Sequence, residues 1–369
     1  MTVGELATRL EDLRLRHVPD PRLGVWDVTL DEEGDAPGIT GAVTEPAAIE
    51  DLRALAGEAG VRAALEVLPA VGVELQAIAH RSLAHLRGEP RHSAELVSQM
   101  ILGEEALVLR SRGDWLQVQT GDRYVAWVHR ASVVRRHPDD LDSFRARLYE
   151  RRPPSGRFVV TARGARAVAQ PAPYAAPVAD LVQGAIVEPG EARGRFLEVV
   201  LPDGASGWVG RSDAVPTDRL AQRFTPSGRA IVEHAAQFLG LPYLWGGTSE
   251  KGFDCSGFVQ RLFGLHGGRL PRDSDQQSDR GEAVDPGTDW SGVEDGDLAF
   301  FAEPGAGRAT HVGILAAGGR LLHASTGRNG VAWDALDPAA PGHDEYAARL
   351  ASMLTGVRRV SLLPEADPR

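Results

Sequence analysis

The sequence predicts an α+β protein of several domains, and three observations carry that expectation. A module of short alternating strands occurs twice in the middle of the chain. The last third changes to a pattern of helix followed by strands, and it holds the only cysteine. The 369 residues, 43% of them hydrophobic, supply chain and apolar material for about two to four buried cores.

Residues 1–90 read as a small α+β unit. Gly24-Val25-Trp26-Asp27-Val28-Thr29-Leu30 alternates as a strand does. Pro46 to Ala59 sets Ile49, Leu52, Leu55 and Ala56 at helical spacing, behind a Thr44-Glu45-Pro46 start that puts proline in the first turn. No chemistry-bearing motif occurs there, so packing or docking is the expected role. Glu5, Glu11 and Asp12 stand where a signal peptide needs a basic segment and then an unbroken apolar one. No run of about 18 apolar residues occurs, so no membrane span is expected, and the expected location is cytoplasmic.

The two modules come next, at 91–137 and 155–216. The first contains Leu107-Val108-Leu109, Trp115-Leu116-Gln117-Val118 and Trp127-Val128-His129-Arg130-Ala131-Ser132. The second contains Ala185-Ile186-Val187, Phe196-Leu197-Glu198-Val199 and Gly207-Trp208-Val209-Gly210-Arg211-Ser212. Short strands punctuated by Gly and Asp predict small β-barrels. The Gly-Trp-Val type of ending resembles bacterial SH3 domains, which often accompany cell-wall hydrolases. The copies differ three residues before the shared tryptophan, where the first has Tyr124 and the second Ala205. Tyr124 is either an aromatic of the barrel wall or a ligand contact present in one copy. Between the modules, residues 138–154 form a charged linker in which Leu141, Phe144 and Leu148 predict a short amphipathic helix, stopped by Pro153-Pro154.

Charge and cysteine count narrow the function. A net charge of −11 argues against a nucleic-acid or anionic-membrane partner, since both need a basic face. A single cysteine rules out an intramolecular disulfide and any thiolate zinc cluster. His17, His80, His85 and His92 show no metal-ligand spacing, so no metal or other cofactor is expected.

Residues 217–369 carry the chemistry. Ser227 caps a helix with Ile231, Ala235, Phe238 and Leu239 as its apolar stripe, ending at Gly240. A loop, Leu241 to Thr248, leads to Asp254-Cys255. Phe258, Val259, Leu262 and Phe263 then recur at helical spacing, which puts the thiol in the first helical turn. Backbone N–H groups there favour thiolate, and a nearby imidazolium would favour it further. Asp297–Phe301, His311–Leu315 and Leu321–His323 read as strands, the last two joined by a hairpin-length turn. His311 and His323 can then face each other, one as base and one fixing its tautomer. Singly, a buried cysteine is usually a small hydrophobe and a strand histidine a core residue. Together, in this order, they predict a nucleophile, its base and an orienting group.

The residues around this constellation resemble the NlpC/P60 family of papain-like cysteine peptidases. The markers are Pro242-Tyr243-x-Trp245-Gly246-Gly247, Asp254-Cys255-Ser256-Gly257-Phe258 and Leu270-Pro271-Arg272-x-Ser274-x-x-Gln277. They continue as Gly296-Asp297-Leu298, His311-Val312-Gly313-Ile314 and His323-Ala324-Ser325. The resemblance covers residues 226–363 and implies a papain-like catalytic domain. In it Cys255 is the nucleophile, His311 the general base and acid, His323 the orienting group, and Tyr243 a neighbour of the oxyanion.

The whole layout resembles the YkfC-type γ-D-glutamyl–diamino acid endopeptidases of murein peptide recycling. That resemblance implies a small murein peptide, L-Ala-γ-D-Glu-diamino acid, as substrate, with its free amine recognised at one end of the cleft. Asp254 and Tyr124 match by position as amine-binding residues, and Glu95 is the acidic candidate, about two residues out of register. Ser256, Arg272 and Ser274 are candidates for the D-glutamate carboxylate. The bland readings are a helix N-cap for Asp254 and a surface salt bridge for Arg272. The oligomeric state is left open, with a monomer favoured. Rival readings are an amidase or acyltransferase on the same scaffold, an exported wall hydrolase, and a muropeptide-binding scaffold without activity.

Overall fold

The computed structural model describes residues 1–31, 38–70, 74–151 and 153–362. Arg152 of the expected linker and Leu363, with the residues after it, lie outside the described residues. The chain forms two compact units, one of residues 1–78, 87–95 and 105–152 and the other of 79–86, 96–104 and 153–369.

The first unit opens on a helix, Val3–His17, that the sequence reading did not anticipate. Thr2 and Glu5 cap it reciprocally: the Thr2 hydroxyl accepts from the Glu5 N–H at 3.2 Å, and the Glu5 carboxylate from the Thr2 N–H at 2.8 Å. Leu6, Leu10 and Leu13 form its buried face. A sheet of three strands follows, Trp26–Asp31, Gly38–Val43 and Arg62–Val67, with Gly38–Val43 in the middle. The last two are parallel, and the crossover such a pair needs is the helix Pro46–Ala59, at the expected residues. Ile39, Val43, Leu52 and Leu55 join the three leucines of the first helix in one core.

In the same unit Glu105–Arg112, Trp115–Thr120 and Val125–His129 run antiparallel in order. Gln76 to Ile78 pair with the start of the first of these strands, Gln76 opposite Leu107. Strand pairing therefore starts ahead of the boundary expected at 91. The run Gln76-Ala77-Ile78-Ala79 is too short for its alternation to stand out. The linker helix spans Leu141–Tyr149, with Asp140 accepting from the Ser143 N–H at 3.1 Å. Phe144 and Leu148 bury against Leu107 and Leu109.

The second unit contains the second barrel, seven strands between Phe158 and Pro216. Its central hairpins, Ile186–Arg193 with Phe196–Val200 and Phe196–Val200 with Ser206–Gly210, repeat those of the first module. Phe196 lies opposite Gly210 as Trp115 lies opposite His129. Val160, Leu181, Val199 and Val209 fill its core, together with Leu102.

The remainder of this unit is a helix-and-sheet domain. Ser227 caps Gly228–Ala235, accepting from the Ala230 N–H at 3.3 Å. The helix tightens to a 3₁₀ turn at Ala236–Phe238 and leaves helical geometry at Leu239, one residue before the end expected at Gly240. Six antiparallel strands follow in the order Glu282–Val284, Leu354–Arg359, Leu298–Phe301, His311–Ala316, Arg320–Ser325, Gly330–Ala335. Phe258, Val259 and Leu262 of the helix Cys255–Leu265 bury in one core with Val312, Ile314, Leu322 and Ala324 of the strands that bear the histidines. This packing holds the helix that begins at Cys255 against the strand that begins at His311. Among the described residues no helix is long and apolar enough to cross a membrane.

Candidate active site

Cys255 is the first residue of its helix, and Asp254 is the N-cap, accepting from the Gly257 N–H at 2.6 Å. The other Asp254 oxygen accepts from the Gly246 N–H at 2.9 Å, which ties the Pro242–Gly247 loop to the helix start. Gly246 has φ +75°, and a Cβ there would come within 2.3 Å of the Leu96 carbonyl oxygen. Only glycine permits both the turn and that approach.

The histidines meet as the sequence predicts. His311 Nε2 lies 2.7 Å from His323 Nδ1. Ile314, three positions after His311, pairs with Leu322 beside His323, so the rings meet diagonally rather than directly across the ladder. Gly313 makes room for this, since a Cβ there would lie 2.9 Å from the His323 Cβ. Behind them stands a residue the sequence reading missed. Asp334 Oδ2 lies 2.8 Å from His323 Nε2, and Asp334 in turn binds Arg328. Asp334 sits on the edge strand Gly330–Ala335 with no motif around it. Its one sequence signal is position, on the strand paired with the one that carries His323.

This line assigns the protons. A carboxylate only accepts, so His323 Nε2 carries hydrogen and His323 Nδ1 is bare. His323 Nδ1 therefore accepts from His311 Nε2–H, leaving His311 Nδ1 as the free base. The Val312 backbone N–H reaches the Cys255 sulfur, and Val312 follows His311 on the strand His311–Ala316.

Electrostatics correct one expectation. Burial pushes the Cys255 thiol up to about 12, with Asp254 adding to the rise, and the Val312 N–H, Arg272 and the Ser256 N–H only partly offset it. Burial likewise lowers His311 to about 3, helped by His323 and opposed by Asp334. The helix terminus favours thiolate, as read from sequence, but removal from water wins. Burial thus favours the neutral thiol and the neutral imidazole in the resting site. Burial also acts against the Asp334 carboxylate, yet its bonds to His323 and Arg328 outweigh that and hold its pKa low.

Asp254 and Arg272 are brought together. Arg272 is 1% exposed and pairs with Asp254 at 2.5 Å. The same guanidinium donates to Ser256 Oγ at 2.8 Å and to Ser98 Oγ at 3.0 Å. The surface salt bridge considered for Arg272 is thus a buried one, and Ser98 is a second residue that no sequence signal marked. Ser274 Oγ donates to the Ala309 carbonyl at 3.3 Å. Asp254 is both cap and ion-pair partner, which leaves little of its carboxylate for a ligand.

Tyr243 lies near Cys255: burial raises its phenol, and Cys255 and Asp254 add to the rise. Tyr124 and Glu95 belong to the first unit. Tyr124 is buried there, and its carbonyl accepts from the Thr120 N–H at 3.0 Å. Among the described residues no group of three or more His, Cys, Asp or Glu is arranged to hold a metal ion.

Residues 240–346 match the NlpC/P60 family, and residues 86–133 match the bacterial dipeptidyl-peptidase SH3 domain. A γ-D-glutamyl-L-lysine dipeptidyl-peptidase of Bacillus cereus is 36% identical over 151 residues, 40% of this chain and 44% of that protein. One of the same name from Bacillus subtilis is 45% identical over 124 residues, 33% of this chain and 39% of that protein. The chain thus matches less than half the length of these two relatives. Dipeptidyl-peptidase 6 of Lysinibacillus sphaericus is 27% identical over 290 residues, 77% of this chain and 98% of that protein. The fold is also that of a crystal structure of an NlpC/P60 family protein from Bacillus cereus, with a TM-score of 0.61 at 24% identity over 78% of this chain and 99% of that one. This chain therefore carries an NlpC/P60 domain at residues 240–346, preceded by a bacterial dipeptidyl-peptidase SH3 domain at residues 86–133.

Proposed function

We propose that the chain is a cysteine endopeptidase that hydrolyses the γ-D-glutamyl–diamino acid bond of small murein peptides with a free N-terminal L-alanine. The observation that carries the reading is the line of contacts from Asp334 through His323 to His311, on the strand whose Val312 N–H reaches the Cys255 sulfur. The names of the Bacillus relatives, γ-D-glutamyl-L-lysine dipeptidyl-peptidases, support the choice of bond.

The resting pair is neutral, so proton transfer accompanies attack. The Cys255 proton passes to His311 Nδ1 as sulfur bonds to the γ-glutamyl carbonyl carbon. Backbone N–H groups at the helix start stabilise the oxyanion, with Tyr243 nearby. His323, held by Asp334, keeps the new imidazolium oriented. The carbon–nitrogen bond then breaks, and His311 gives its proton to the departing amine. Water attacks the thioester with His311 again as base, and sulfur leaves and regains its proton. The products are L-Ala-D-Glu and the diamino acid, or a peptide that begins with it.

Amine recognition by Tyr124, with Glu95 as its acidic partner, belongs to this proposal and rests on the resemblance. Because Asp254 is taken up by Arg272, its part in that recognition is to hold the loop and the arginine. Recycling of wall peptides in the cytoplasm is the setting we propose for the activity. The test compares L-Ala-γ-D-Glu-L-Lys with its N-acetylated form. Cleavage of the free-amine peptide alone, weakened in Tyr124→Phe, supports the reading, and equal cleavage of both overturns amine recognition.

A further inference from the structure

We propose that a cleft between the second barrel and the short helical segment after it, residues 217–223, binds a short peptide with several free carboxylates. The cleft, of about 500 Å³, is lined by Phe158, Leu197 and Val215 on its apolar side and by Arg211, Arg219 and Arg223. No acidic residue lines it, although acidic residues outnumber basic ones 51 to 40 in the chain.

The arginines have no carboxylate of their own among the described residues. Arg211 reaches only the Gly194 carbonyl, at 3.5 Å, and Arg223 lies 5.5 Å from the ring centre of Phe224. Glu188 pairs with Arg157, Asp213 accepts from the Gly210 N–H and the Ser212 hydroxyl, and Asp218, next to Arg219 in sequence, does not line the cleft. Three cations around one cleft repel each other until an anion fills it. Planar guanidinium forks match carboxylates in bidentate fashion. The apolar side offers contact to methylene groups that a bare inorganic anion lacks. The net charge of −11 opposes long polyanions such as nucleic acid. A short acidic peptide satisfies all three conditions. None of the residues described around Cys255 lines this cleft, so it acts as a separate site.

The test is calorimetric titration of the full chain, carrying Cys255→Ala to prevent turnover, with N-acetyl-tri-γ-D-glutamate. Saturable binding is expected, weakened at least tenfold in Arg219→Ala/Arg223→Ala and lost with the fully amidated probe. Binding unchanged by the arginine substitutions, equal binding of the amidated probe, or no binding overturns the proposal. Tighter binding of inorganic phosphate or of a short oligonucleotide also overturns it. With Cys255 intact, the arginine variant should cleave L-Ala-γ-D-Glu-L-Lys within twofold of the parent rate and melt at the same temperature. That readout keeps failure of the cleft distinct from failure of the proposed peptidase activity.

Discussion

Asp334 Oδ2 sits 2.8 Å from His323 Nε2, and this contact determines which nitrogen of His311 is free to take a proton. Remove the charge of Asp334 and His323 loses its reason to donate in that direction. His323 Nδ1 can then carry the hydrogen, and His311 Nε2 has to accept it. The free base at His311 Nδ1 disappears in that tautomer. Arg328 holds Asp334 from the far side, with its Nε 3.1 Å from Oδ1 and its Nη2 also on Asp344.

Asp334→Asn is therefore expected to lower kcat by about 10²–10⁴-fold while KM changes little, as for loss of a charge that fixes a catalytic tautomer. Steady-state kinetics on L-Ala-γ-D-Glu-L-Lys check this. An equal rise in KM with kcat preserved would assign Asp334 to substrate binding instead.

The pH profile follows from burial. With His311 lowered to about 3 and the Cys255 thiol raised to about 12, neither group changes charge in the free protein across the working range. The value of kcat/KM is expected to be flat between about pH 5 and 7, because no group of the free enzyme's pair titrates there, and to fall above that only as the substrate's α-ammonium, at about 8, loses its proton. Alkylation of Cys255 by iodoacetamide should be slow at neutral pH. Fast alkylation with an acid limb near His311's ordinary range would show a resting thiolate–imidazolium pair.

Much of this site was legible in sequence, for physical reasons. Cys255 stands between a capping aspartate and an apolar helical stripe, and the histidines lie on short alternating runs joined by a hairpin turn. Local patterns of that kind survive folding. Asp334 and Ser98 were not legible because each acts through pairing distant in sequence, with nothing local to mark it. The pull on the thiol divides for a related reason: the helix terminus that favours thiolate is visible in sequence, whereas the burial of Cys255 to 8% exposure that opposes it is a tertiary fact. The helix Val3–His17 did carry signals, in the Thr2–Glu5 capping box and the spacing of Leu6, Leu10 and Leu13.

The Asp254–Arg272 pair gives a stability prediction. Arg272→Leu leaves a carboxylate 7% exposed without its main partner and should cost about 3–5 kcal/mol. Asp254→Asn/Arg272→Leu removes both charges and should cost less than Arg272→Leu alone. Urea unfolding of the variants measures the difference. A double variant less stable than Arg272→Leu would show that Asp254 matters chiefly as the cap bonded to Gly257.

Acid should destabilise the fold through its buried histidines. Burial lowers His234 and His311 each to about 3, with His266 adding to the effect at His234 and His323 at His311. A histidine lowered in the folded state binds its proton only on unfolding. Stability is then fully present above the unfolded value near 6.5 and is lost as pH falls towards 3. Each such group steepens the loss by up to about 1.4 kcal/mol per pH unit. Urea midpoints at several pH values should fall below pH 6.5, and His234→Asn should flatten the slope by one group. An unchanged slope in that variant would remove His234 from the account.

The central claim is that Cys255 performs the hydrolysis, and release of free lysine from L-Ala-γ-D-Glu-L-Lys tests it most directly. The wild-type chain is expected to release lysine and L-Ala-D-Glu in equal amounts, with Cys255→Ala slower by at least about 10³-fold. Lysine release by Cys255→Ala at the wild-type rate, or none by the wild-type chain, would contradict the account.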